Sequence, residues 1–307
     1  MGDSLIGFLQ QLINGLSQGS IYALIALGYT MVYGVLRFIN FAHSDVLMLG
    51  AFAAFYIAPT AAKMFGPATV SGALVVILLS AAICAVIGMT IEYLAYRPLR
   101  KRPRLTVLIT AIGVSLFIEF TGQHEKVFGA ATKSFPTLLP KKEIIVGALR
   151  CSSNDLVVVG LTGVLLVAMW FIVQRTKIGM AMRAVSFNEQ AASLMGVNVN
   201  AIISFTFALG SALAAIGGIF YSMRAPGIEP LMGVQPGLRA FIAAVLGGIG
   251  NLPGAALGGV VLGLIETFFG GMPGLSNYRD AIAFALLILI LLFRPAGLLG
   301  KMQTEKV

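Results

Sequence analysis

Charge is what this 307-residue chain has least of. Lys, Arg, Asp and Glu make up 11% of it against 58% hydrophobic residues, where a soluble domain carries about a quarter charged residues. So few charges cannot clothe the core of a water-soluble protein of this length. With a mean hydropathy of +0.93, the bilayer is the expected solvent. Cysteine is nearly absent: Cys84 sits in a long apolar run and Cys151 in a polar loop, which argues against a disulfide framework. The two histidines, His43 and His124, are far apart in sequence, and no Cys/His cluster has ligand spacing, so no metal site is expected. A phosphate-binding loop is missing as well. Lys301 follows Gly300, but Pro295 stands where the motif needs its first glycine and Met302 where it needs Ser or Thr. No nucleotide or other cofactor is expected on this chain.

The charges that do occur are bunched. Between His43 and Arg97 there are only Asp45, Lys63 and Glu92; then Arg97, Arg100, Lys101, Arg102 and Arg104 follow without an acid among them. The net charge of +9 is therefore read as basic loops between apolar runs, not as a nucleic-acid patch. A span takes roughly 20 mainly apolar residues, and such runs cover about 5–33, 41–62, 70–96, 105–121, 155–173, 201–223 and 281–293. The apolar segment 238–271 is cut by Gly250-Asn251-Leu252-Pro253-Gly254, which predicts two helices joined by a tight turn, with re-entrance left open. The expected fold is an all-α polytopic membrane protein of eight or nine membrane elements, a single transmembrane domain over 1–307.

Loops 97–104 and 175–183 are separated by two spans and must share a side. They carry basic residues and no acid, whereas the longer loop 122–154 also holds Glu125 and Glu143. The first pair is expected in the cytoplasm, with Arg294, Lys301 and Lys306, and loop 122–154 in the periplasm. Glycine is abundant, at 36 residues. Gly15-x-x-x-Gly19, Gly254-x-x-x-Gly258 and Gly259-x-x-x-Gly263 each put two glycines on one helix face, where backbones approach closely. Packing within the chain is expected to use these faces.

Two segments stand out for function. Within the cytoplasmic stretch 175–200, Gln190-Ala191-Ala192-Ser193-Leu194-Met195-Gly196 reads as a short amphipathic helix. Ala191, Leu194 and Met195 share a face, Asn188 is placed to cap the start, Glu189 favours the first turn and Gly196 ends it. It is either a surface helix lying on its own bundle or a docking helix for a soluble partner. In the second segment, Arg37 to Asp45, Asn40 can cap a helix starting at Phe41, which puts His43, Ser44 and Asp45 in or near its first turn. This is either a loop at the membrane surface or a broken helix facing a cavity, where a half-helix N-terminus holds an anionic group.

The Gly250-Asn251 turn is weakly similar to it and is a candidate counterpart. Lone acids inside spans are candidate pathway groups, Glu266 first and Glu119 next, while Glu92 is expected at the interface near Arg97. Asn14 and Gln18 share a face of the first helix. Interhelical hydrogen bonding is the plain alternative for all of these.

Longer motifs add a resemblance. Tyr29-Thr30-Met31-Val32-Tyr33-Gly34, then Ile39-Asn40-Phe41-Ala42-His43, resembles the N-terminal signature of the branched-chain amino acid ABC permeases. Tyr96-Arg97-Pro98-Leu99-Arg100, Ala243-Ala244-Val245-Leu246-Gly247-Gly248-Ile249-Gly250 and Arg294-Pro295-Ala296-Gly297-Leu298-Leu299-Gly300 continue it in order. The length matches the LivH-type subunit. Gln190 to Gly196 looks like the E-A-A-x-x-x-G coupling loop of importers, with Gln190 in place of Glu; Ser44-Asp45 stands where the family commonly has Gly and an acid. The resemblance implies a binding-protein-dependent importer in the bacterial inner membrane, working by alternating access. Its partners would be a second, related permease, two cytoplasmic ATPases that hold ATP and Mg, and a periplasmic binding protein.

On that implication, coupling falls on Arg183, Glu189, Gln190, Ala191, Ala192 and Gly196. The pathway falls on Asn14, Gln18, Asn40, His43, Ser44, Asp45, Gly250, Asn251 and Glu266. Urea and short-amide importers share much of the signature, and an ATP-independent channel or carrier is a further alternative. An enzyme is not expected, because no nucleophile–base or metal constellation is present.

Overall fold

Apolar runs free of breakers become helices here. The computed structural model describes residues 2–100, 102–272 and 274–300; Lys101, Lys301 and Lys306 lie outside them. In chain order the helices are α1 (Gly2–Leu36), α2 (His43–Phe65), α3 (Val70–Ile91), α4 (Arg104–Gln123), α5 (Ser153–Arg175), α6 (Lys177–Phe187), α7 (Glu189–Leu194), α8 (Val199–Arg224), α9 (Val234–Gly247), α10 (Leu252–Gly270) and α11 (Arg279–Phe293). A π turn, Glu92–Tyr96, and a 3-10 turn, Arg97–Leu99, continue α3. Eight of these segments are long and apolar enough to cross a membrane, and α9 is a shorter apolar helix. The expected all-α, polytopic fold is present, including the split of 238–271 into α9 and α10.

Four short strands occur as well. β1 (Lys133–Ser134) pairs antiparallel with β4 (Gly227–Ile228), and β2 (Glu143–Val146) with β3 (Leu149–Ser152) in the register Glu143↔Ser152. The β2–β3 hairpin turns at Gly147, whose φ is +64°. It lies in a stretch read from sequence as a plain loop, because four residues are too few for alternation to register.

The described residues fall into two compact units, 31–141 with 171–238, and 2–30 with 142–170 and 239–300. In the first, α2, α3 and α8 pack on one another. Glycine makes that closeness possible: Gly50 presses on Ala215, Gly88 on Ser211 and Gly218 on the Leu47 backbone, leaving no room for a Cβ. At the end that bears the basic loops, Val32, Tyr96, Val107, Val185, Ala192, Ile203 and Phe207 form one buried apolar cluster.

In the second unit the glycine faces meet as the sequence implied. A Cβ added to Gly19 would lie 2.7 Å from Val260 Cα, and one on Gly15 would lie 3.0 Å from Leu264 Cα, while Gly263 sits on the Gly19 backbone. Gly254 and Gly258 pack on Gly247 and Ala243 of α9. All three motifs are thus used within the chain. Elsewhere large apolar side chains point outward, among them Leu78 on α3, Phe117 on α4, Val164 on α5 and Leu292 on α11. That is the pattern of helices with lipid as solvent.

Candidate coupling surface and buried polar clusters

The segment 175–200 is built by capping chemistry. Thr176 accepts a hydrogen bond from Gly179 N and starts α6, and Asn188 Oδ1 accepts from Ala191 N at 2.9 Å and starts α7. The Asn188 cap is the one expected from sequence. At the other end Gly196 has φ +84°. Its N–H reaches Ser193 O and the Val197 N–H reaches Ala192 O, the paired bonds of a Schellman stop. Val197 packs against the apolar cluster that holds Ala192, which supplies the hydrophobic contact that accompanies such a stop.

The orientation of α7 was not legible beforehand. Ala192 is its buried residue, whereas Ala191 is exposed, Leu194 is 89% exposed and Met195 85%, with Phe187 of α6 nearby in sequence at 88%. Of the two readings the sequence left open, the chain's own bundle does not cover the face of Ala191, Leu194 and Met195, which points outward. Gln190 and Glu189 are exposed too, and Arg183 donates to Val173 O and so serves the C-terminal carbonyls of α5. Ser186 Oγ donates to Gly34 O, and Arg37 Nη2 donates to Ser186 O at 3.0 Å. Arg37 itself has φ +55° and ends α1.

Beside this surface lies a buried carboxylate. Glu92, expected at the interface, is 0% exposed. It accepts from Arg97 Nη2 at 3.0 Å and from Ser204 Oγ at 2.6 Å, and it is also paired with Arg100. Burial lowers the Arg100 pKa, and Glu92 acts against that; Glu189 on α7 is within Coulombic reach of the same guanidinium. Arg100 Nη1 also donates to Asn200 Oδ1 at 2.8 Å.

The segment 37–45 needs one correction. Asn40 does not cap a helix at Phe41: α2 begins at His43, Ala42 holds the cap position and no side chain caps it. Asn40 Oδ1 instead accepts from the Tyr96 hydroxyl at 2.6 Å, both groups buried. A phenol with no water to turn to competes better for that oxygen than a backbone N–H that can use a carbonyl one turn away. Indeed His43 N donates to Asn40 O. His43 is buried, and Ser44 Oγ donates to Phe41 O at 2.8 Å with Gly233 and Gly237 pressed against Ser44. Asp45 lies in the first turn of α2 as expected; it accepts from Ser115 Oγ at 2.5 Å and faces Glu119.

In the other unit Glu266 is buried in a polar cluster. Tyr22 Oη donates to it at 2.7 Å, Arg239 Nε is 3.3 Å away, and Arg239 Nη2 reaches Asp280 at 2.6 Å. Asn14 accepts from Gln10 Nε2, while Gln18 is half-buried. Gly250, at φ +93°, and Asn251 make the α9–α10 turn. Asn251 Oδ1 accepts from Gly254 N, and its Nδ2 donates to Leu299 O at 2.7 Å. Leu298 N and Leu299 N in turn satisfy Leu246 O and Gly247 O at the end of α9.

The candidate residues therefore divide into several places, and their partners Tyr96, Arg100, Ser204, Ser115, Tyr22 and Arg239 were missed. Arg239 carried a usable signal, a lone cation inside an apolar run. The others are ordinary loop or helix residues until the fold is known.

Against known proteins, residues 11–291 match the family model described as branched-chain amino acid transport system, permease component. The chain is 42% identical to the high-affinity branched-chain amino acid transport system permease protein BraD of Pseudomonas aeruginosa, over 98% of each chain. It is 38% identical to the corresponding permease protein LivH of Escherichia coli K12, over 100% of each. The ribose import permease protein RbsC of Escherichia coli K12 aligns over 43% of each chain at 31% identity.

Proposed function

The chain belongs to the permease-component family of branched-chain amino acid transport systems, and we propose that it is the membrane subunit of an ATP-driven, binding-protein-dependent importer. The substrates are branched-chain, hydrophobic amino acids, the membrane is the bacterial inner membrane, and the mechanism is alternating access. A second, related permease completes the pathway, two cytoplasmic ATPases hold ATP and Mg, and a periplasmic protein delivers the substrate. The chain itself binds no cofactor and performs no covalent chemistry. Asn14, Gln18, Asn40, His43, Ser44, Asp45, Gly250, Asn251 and Glu266 supply polar groups along or beside the route.

One observation carries the coupling part of this proposal. The helix α7 is capped at both ends and anchored by buried Ala192, yet it leaves Leu194 and Met195 in the open beside Gln190 and Glu189. Apolar groups on a polar, loop-borne helix cost free energy unless a partner covers them, and a few such anchors carry most of the energy of an interface. Arg183, Glu189, Gln190, Ala191, Ala192 and Gly196 form or support that docking element.

The test is affinity purification of the tagged chain from its native membrane, with mass spectrometry of what accompanies it. Two ATPases and a second permease are expected, and Leu194→Glu with Met195→Glu should lose the ATPases while retaining the permease. Recovery of the chain alone, still moving solute without ATP, would replace the importer with a carrier or channel.

A further inference from the structure

The π turn at the end of α3 is joined to both of its surroundings. At one end lies Glu92, clamped by Arg97, Arg100 and Ser204. At the other lies Tyr96, fully buried, with its hydroxyl on Asn40 and its ring beside Phe38 and Phe207 at centroid distances of 5.3 and 5.5 Å. Toward α7 the connections are twofold. Glu189 acts electrostatically on Arg100, and Ala192 sits in the same apolar cluster as Tyr96.

The register of this turn matters. Arg97 N donates to Glu92 O, the i→i+5 bond that defines a π turn. In an α-helix, residues five apart diverge by about 140° around the axis, so the Glu92 and Arg97 side chains are not neighbours. Resolving the π turn to α register rotates everything beyond it by about 100°. The Glu92–Arg97 pair and the Tyr96–Asn40 bond therefore both belong to the π register, and both are broken or rebuilt when it is lost.

We propose that the π turn Glu92–Tyr96 is a two-register relay, through which movement of α7 reaches the α1–α2 break at Asn40. Glu92 and Tyr96 are positioning residues in it: neither touches substrate. Load on α7 acts through Glu189 and Ala192 on Arg100 and on the Tyr96 cluster. A change of register then releases Asn40, so that the start of α2, with His43, Ser44 and Asp45, moves. The inference rests on the importer proposal above and deepens it by naming how docking and pathway communicate. Buried side chains with two discrete arrangements are the physical means by which such coupling travels.

Tyr96→Phe is the least disruptive probe, because it deletes one oxygen and keeps the ring in its packing. In the reconstituted complex it should hydrolyse ATP at the wild-type rate while amino acid moved per ATP falls about fivefold, the equivalent of one buried hydrogen bond. Combining it with Asn40→Ala should lower the ratio no further than the worse single variant. Wild-type coupling in Tyr96→Phe, or additive losses in the pair, overturns the relay.

Should Tyr96→Phe fail to assemble, hydrogen exchange in the wild-type complex decides. Amides of residues 92–100 should change protection at least fivefold between the nucleotide-free and vanadate-trapped states, and identical protection overturns the relay. Absence of ATPases from the wild-type purification is a different failure, and removes the importer proposal itself.

Discussion

Replacing Glu92 by glutamine preserves the side chain's size and removes its charge, and the cost follows from what surrounds it. Glu92 is 0% exposed and Arg100 9%, whereas Arg97 is 30% exposed. Removing one partner of a buried pair costs about 3–5 kcal/mol, mostly through the charge left uncompensated. Arg100 carries nearly all of that, because Arg97 can be solvated and contributes at most about 1 kcal/mol. A loss of about 3–4 kcal/mol lowers an unfolding midpoint by on the order of 10 °C for a chain of this size.

The assay is a thermal scan of the detergent-purified protein with a fluorogenic thiol dye, for which the free, buried thiol of Cys84 is a built-in reporter. Glu92→Gln should fall by about that amount. Glu92→Gln with Arg100→Met should recover at least half of it, since the stranded charge is gone. A Glu92→Gln midpoint within 2 °C of wild type (roughly a fifth of the shift worked above), or a double variant losing the sum of the singles, would refute the reasoning.

Three further outcomes are expected. Gly19→Val drives a side chain into the α10 backbone at Val260 and should cost about 1–3 kcal/mol, while Gly7→Val, with open space around it, should leave the thermal midpoint unchanged. Gly196→Val forces a β-branched residue into φ +84° at a cost of about 1–2 kcal/mol; transport per ATP should fall in reconstituted vesicles, with Gly196→Asn the milder change. Burial and the neighbouring Asp155 push the Cys151 thiol pKa up, so it holds less thiolate at neutral pH than a free cysteine and its labelling rate should climb steeply between about pH 7 and 9. An impermeant maleimide should reach Cys151 in intact cells; labelling only after permeabilisation would put the 122–154 segment on the cytoplasmic side.

What sequence could tell depended on the range of the interaction. The Asn188 cap, the Gly196 stop, the Gly250-Asn251 turn and the glycine faces are each settled within about five residues, by hydrogen-bond geometry or by the absence of a Cβ, and they stand where expected. Asn40 shows the limit. As a local residue it is a good N-cap, but Tyr96, 56 positions on, is buried with a hydroxyl that needs an acceptor. Glu92 stands beside Arg97 as expected, but their direct pairing was not legible: five apart, they are off-register in an α-helix and become partners only through a π turn. Nothing in the pattern of apolar residues announces one. Glu119 and Glu266, read as isolated acids, face Asp45 and Arg239, because helices distant in sequence bring those groups to them.

The roll of α7 stayed open in the sequence for a different physical reason. Periodicity places Ala191, Leu194 and Met195 together without saying what covers them; the structure turns in Ala192 and leaves the three outward. A six-residue helix gains little from its own amphipathicity. Its roll is fixed by its ends, and the Schellman stop draws Val197, and with it Ala192, toward the cluster of Val185 and Ile203. In α7 the chain leaves Leu194 and Met195 uncovered, and on the docking role proposed above their core is completed by another chain.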